Sequence, residues 1–110
     1  LGADAFISIH SNAFRAEAKA GTETYYYYNH PESRRLAELV HAEMAKLGLE
    51  DRGTRTERFV VLRETVMPSA LVEMAFLTNP AEERLLLDPA FQRRAAEAIA
   101  RGIAAFFEVR

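Results

Sequence analysis

Phe6-Ile7-Ser8-Ile9-His10-Ser11-Asn12-Ala13 reads as a short buried strand that delivers one histidine to its C-terminal end. Phe6, Ile7 and Ile9 have the aromatic and β-branched character of a strand covered on both faces. Alternation places Phe6, Ser8 and His10 on one face and Ile7 and Ile9 on the other. Ser11 and Asn12 then break the strand. In open α/β sheets ligands sit beyond the carboxyl ends of the strands, where His10 emerges. Taken by itself, His10 is either a ligand or a structural hydrogen-bonding residue.

Working outward, 110 residues suit one small domain. Hydrophobic residues make up 49%, enough for a core and too many for a disordered chain. A formal charge of -2 gives no electrostatic case for nucleic acid or for an anionic membrane. The absence of cysteine excludes disulfides and thiolate metal sites. No apolar run reaches transmembrane length. The strand follows Leu1 by only five residues, so the chain is expected to start inside a domain and the sheet to be incomplete on its N-terminal side.

A polar, alanine-rich connection, residues 15–21, leads to a second strand over residues 22–28 that ends in four consecutive tyrosines. That strand is expected near a sheet edge; a carbohydrate-stacking platform is the other reading of its rings. Pro31 opens a helix whose Leu36, Leu39, Val40, Met44 and Leu47 form one stripe, and Gly48 stops it. His30 falls in the preceding turn, and His41 lies off the stripe and is expected in solvent. Neither histidine belongs to a paired metal motif. Residues 50–58 read as a charged connection turning at Gly53, followed by a third strand, 59–62, and a fourth, 69–75.

That fourth strand, Ser69-Ala70-Leu71-Val72-Glu73-Met74-Ala75, holds the second informative position. A carboxylate among apolar neighbours is costly unless paired, metal-bound or functional. Glu73 is therefore either a reactive group or a strand-end carboxylate bonded to a loop amide. Asn79-Pro80-Ala81-Glu82 starts a short helix with an N-cap, a proline at the first position and an acid three residues after the cap. A long final helix carries Phe91, Ala95, Ala98, Ile99, Gly102, Ile103 and Phe106 on one face. Gly102 is expected to let it approach the sheet, and Glu97 and Arg101 to pair along its outer face. Strands alternating with helices give an α/β layered domain.

Four blocks in order, Ala3 to Ala13, Gly21-Thr22-Glu23-Thr24-Tyr25-Tyr26, Val61-Leu62-Arg63-Glu64-Thr65 with Pro68, and Leu71 to Asn79, resemble the zinc-dependent N-acetylmuramoyl-L-alanine amidases of the amidase-3 type. The resemblance runs nearly end to end. It implies a mostly parallel sheet flanked by helices, with zinc at the C-terminal edge of the strands. It implies hydrolysis of the amide between N-acetylmuramic acid and L-alanine in peptidoglycan, outside the cytoplasm. On this resemblance His10 is a zinc ligand and Glu73 the catalytic carboxylate. Asn12 either donates to substrate or shapes the turn. Arg63 either holds a substrate carboxylate or carbonyl, or pairs with Glu64 or Glu57.

The family's two further zinc ligands, a histidine in a glycine-rich loop and a glutamate on a helix, fall before Leu1. The chain is thus expected to be the larger, C-terminal part of an amidase catalytic domain, inactive by itself. A sheet cut along one side exposes an edge that favours self-association. Some family members carry a long insertion after the tyrosine strand that plugs the site; here only Asn29 to Glu32 lie there, so an open site is expected. Three other functions stand beside it: a peptidoglycan-binding module that does not cut, a zinc peptidase on a related sheet, and a purely structural domain, which would leave Glu73 without a reason to lie in an apolar strand.

Overall fold

The computed structural model describes residues 4–12, 20–56 and 66–108. Four strands, β1 (Phe6–Asn12), β2 (Thr22–Tyr26), β3 (Asp51–Thr56) and β4 (Ser69–Phe76), form one sheet in the order β1-β4-β2-β3. β1 runs parallel to β4 and β2 parallel to β3, while β2 and β4 are antiparallel. The sheet is therefore mixed but mostly parallel. Helices α1 (Pro31–Met44), α2 (Pro80–Leu86) and α3 (Pro89–Glu108) complete the described architecture.

Local signals account for the helices. α1 begins at Pro31 with His30 as N-cap, its Nδ1 accepting from the Ser33 amide at 3.1 Å. A short 3-10 turn over Ala45–Leu47 ends at Gly48, in the left-handed conformation at φ 95°. Asn79 caps α2 by accepting from the Glu82 amide at 3.1 Å. The Glu82 carboxylate does not close the box locally. It is buried and accepts from the Phe76 and Gly21 amides, both at 2.7 Å, so it ties the end of β4 to the start of β2.

One sheet face carries Ile7, Ala70, Val72, Thr24 and Met74 beneath α1 and α3. Leu36, Val40 and Met44 of α1 meet Phe91, Ala95, Ala98, Ile99 and Phe106 of α3 there. Burying each large side chain contributes about 1.5–3 kcal/mol. The opposite face carries Ser8, His10, Leu71, Glu73, Glu23 and Tyr25, placed together by the strand registers.

Six expectations are corrected. β1, expected to be buried on both faces and broken at Ser11 and Asn12, runs through Asn12 with Ile9 51% exposed. β2, expected near a sheet edge, stands next to the edge strand β3 with both its own edges paired. Residues 51–56 form a strand despite their charge, since their backbone pairs with β2 and their arginines have a buried carboxylate to meet. His41 is 6% exposed; it reaches from α1 to the sheet, bonding Thr24 and Asp51. Arg101 pairs with Glu43 of α1 at 2.9 Å, a partner in another helix that helical spacing cannot reveal. Gly102 makes its close approach to α1: a Cβ there would sit 2.5 Å from the Val40 Cα. The strand expected over 59–62 lies outside the described residues.

Gly102→Ala is expected to destabilise the chain by about 2 kcal/mol, because helix backbone, unlike a side chain, cannot turn aside. A denaturant midpoint equal to that of the parent chain would contradict the α1–α3 contact.

Candidate active site

The site face is assembled by strand register. β1 and β4 align Phe6 with Ser69 and continue to His10 beside Glu73. The antiparallel register of β2 sets Glu23 on the other side of Glu73. One imidazole and two carboxylates thus occupy adjacent strands on one face, about 4.8 Å apart by strand spacing.

His10 is half exposed, and its Nδ1 lies 4.0 Å from Oε1 of Glu73. Its other nitrogen, Nε2, shares a hydrogen bond with Ser8 Oγ at 2.9 Å. Ser8 precedes His10 by two residues, so strand periodicity alone puts the hydroxyl where it orients the ring. The Glu73 side chain is 12% exposed. Its Oε2 is buried without a hydrogen-bond partner among the described residues. Burial, and then the like charge of Glu23, push the Glu73 carboxyl up to about 7. The alternative of a structural carboxylate bonded to a loop amide fails here; Glu82 fills that role.

Glu23 was not singled out in the sequence, although its position between Thr22 and Thr24 in a strand was visible. It is 2% exposed. Tyr25 donates its hydroxyl to Oε1 at 2.5 Å, and Arg52 and Arg55 lie on Oε2 at 3.0 and 3.2 Å. Three donors offset the desolvation of this carboxylate, whereas its neighbour Glu73 has no such set.

Of the remaining expected site residues, Asn12 ends β1 opposite Phe76, after a register shift that follows His10. Arg63 lies outside the described residues. Among the described residues no three His, Asp or Glu side chains converge as a metal cage. His10 with the unpartnered Glu73 oxygen fits one corner of a metal-hydrolase site, an imidazole ligand beside a general base, and does not complete it.

A carboxyl held at about 7 when folded and near 4.5 when unfolded binds its proton more tightly in the folded chain. The stability it contributes is fully present below about pH 4.5 and is lost as pH rises through 7. In chelator-treated chain, Glu73→Gln is expected to raise stability by on the order of 2 kcal/mol at pH 8 and by little at pH 4.5. Denaturant titrations at the two pH values check this, and a pH-independent difference would contradict it.

Residues 1–105 match the Amidase_3 family model, N-acetylmuramoyl-L-alanine amidase. The chain is 41% identical over 108 residues to N-acetylmuramoyl-L-alanine amidase LytC of Bacillus subtilis (strain 168), covering 96% of the chain and 22% of LytC. The solved catalytic domain of CwlV, an N-acetylmuramoyl-L-alanine amidase from Bacillus (Paenibacillus) polymyxa var. colistinus, superposes with TM-score 0.91 at 43% identity, over 98% of this chain and 60% of that one. An N-acetylmuramoyl-L-alanine amidase from Clostridium difficile 630 superposes with TM-score 0.95 at 34% identity, again over 98% of this chain and 60% of that one. The chain therefore spans about a fifth of LytC and three fifths of these solved chains. With the mixed sheet, the helix-covered core and nearly its whole length matched, the chain belongs to the N-acetylmuramoyl-L-alanine amidase family, Amidase_3.

Proposed function

We propose that the protein carrying this chain hydrolyses the amide between N-acetylmuramic acid and L-alanine in peptidoglycan, in the cell wall. The observation that carries the reading is the meeting of His10 and Glu73 on one face, with one Glu73 oxygen buried and unpartnered. Family membership and the names of the solved relatives support the substrate. The chain is the larger part of a catalytic domain, and the rest of the donor set comes from residues outside it.

His10 holds zinc in this reading, with Ser8 fixing the ring. Zinc, when bound, supplies Lewis acidity toward water and the amide carbonyl. Glu73 accepts the proton of the attacking water on its carboxylate and returns it to the departing alanine nitrogen. A carboxyl held near neutrality suits both transfers, because it is neither too weak a base nor too weak an acid. Asn12 and Arg63 are proposed substrate contacts, Asn12 at the end of the same strand as His10.

The outer edge of β1 and a cavity of about 180 Å³ beneath it, lined by Ile9, Met74, Leu86, Phe91 and Ile99, then receive the rest of the domain. The chain alone is inactive and self-associates through that edge. A monomer by light scattering at high concentration contradicts the self-association.

In the complete protein, Glu73→Gln is expected to leave zinc content unchanged and to lower release of the stem peptide from muramyl glycan about a thousandfold. His10→Ala is expected to lose the metal as read by atomic absorption. Undiminished hydrolysis by the first variant, or undiminished zinc in the second, overturns the assignment.

A further inference from the structure

β3 carries an irregularity in its pairing with β2. Its register against β2 moves from Thr22 with Asp51 to Thr24 with Thr54, so two residues, Arg52 and Gly53, stand opposite Glu23. This is a bulge, with Gly53 at φ 76°. A Cβ at Gly53 meets nothing within 4 Å, so the glycine is required by its backbone conformation rather than by space. Regular alternation would send Arg52 and Arg55 to opposite faces. The bulge brings both onto the site face and onto the same Glu23 oxygen.

The bulge is pinned from the helix side. Asp51 Oδ1 accepts from the Gly53 amide at 2.8 Å and from His41 Nε2 at 2.6 Å, and His41 Nδ1 meets Thr24 Oγ1 at 3.1 Å. The His41 bond, and then the Gly53 amide, hold the Asp51 carboxyl below its ordinary range. Bulges recur beside active sites, where they re-aim a side chain.

One arginine would neutralise Glu23. Arg52 is largely buried and also faces Glu50 at 3.9 Å, so its charge is matched twice. Arg55 is half exposed; its Nε lies 3.2 Å from Glu23 Oε2 and donates to the Arg52 carbonyl at 3.4 Å, which leaves the outer edge of the guanidinium toward solvent. A guanidinium so seated presents a rigid two-donor edge, suited to a carboxylate. It stands two strands from Glu73 and, lying opposite Tyr25 and Leu71, two residues along, so about 12 Å away. One extended peptide residue spans about 3.5 Å. Alanine, the side chain of the next residue and the Arg55 side chain together span the interval.

The geometry points to Arg55 as a specificity-determining residue that binds a carboxylate on the residue following L-alanine in the substrate peptide. The inference rests on the hydrolase reading above and adds the acid requirement to it.

The test is a titration of the complete protein, carrying Glu73→Gln so that the ligand is not cut, with N-acetylmuramoyl-L-alanyl-D-glutamate and with the same compound bearing both glutamate carboxyls as amides. Binding is followed by NMR at the Arg55 Nε–H and at the backbone amides flanking His10 and Glu73. The acid is expected to shift the Arg55 signal and to bind about tenfold more tightly than the diamide. Arg55→Gln is expected to abolish that preference, and Arg55→Lys to restore part of it. Arg34→Gln, at an exposed pair with Glu38, is expected to leave the preference intact.

Equal affinity for acid and diamide, with shifts beside His10 and Glu73, overturns the role of Arg55 and leaves the substrate reading standing. Binding of neither compound overturns both. Acetate alone shifting Arg55 to the same extent at the same concentration overturns the specific site in favour of general anion attraction.

Discussion

A carboxylate under cover with one oxygen unpartnered is the constraint on which the rest of this molecule turns. Glu73 sits in β4 between β1 and β2, and burial holds its proton until about neutral pH. The fold accepts that cost because α1, α3 and the helix-side face supply a continuous apolar core beneath it. The polar face is then available for chemistry that would destabilise a core. Two glutamates in cross-strand register make the contrast plain. Glu23, more deeply buried, is surrounded by donors; Glu73, 12% exposed, has an oxygen that lacks them.

The same division of labour appears in the histidines. His30 caps a helix, His41 staples α1 to β2 and β3, and His10 stands half exposed beside Glu73. Only His10 offers a ring nitrogen toward the reactive carboxylate, with a hydroxyl two residues back to steady it. The acidic residues divide likewise. Glu82 ties two strand ends together, Asp51 pins a bulge and Glu43 joins two helices. Each has its desolvation offset by named donors.

Among the described residues β1 and β3 are the edge strands, and the apolar cavity lined by Ile9 and Met74 lies on the helix side of β1. The solved relatives extend over substantially more chain than this one.

Local pattern marked the helices, the Asn79 cap and three of the strands, and it singled out His10 and Glu73 as informative positions; their roles came from the family resemblance. Each of those signals is carried within a few residues: proline and asparagine at helix starts, glycine at a stop, alternation around His10, an acid inside an apolar strand. Pairing across the sheet was decided by tertiary structure alone. Residues 51–56 are too charged to look like a strand, and they become one because Glu23, some thirty residues earlier, gives Arg52 and Arg55 a buried partner. His41 looked solvated because its polar partners, Thr24 and Asp51, come from two other elements. Gly102 was legible as a close contact, but not that α1 was its neighbour. Helical and strand periods report which side of an element faces inward; the identity of what it meets depends on strand order, which no local spacing encodes.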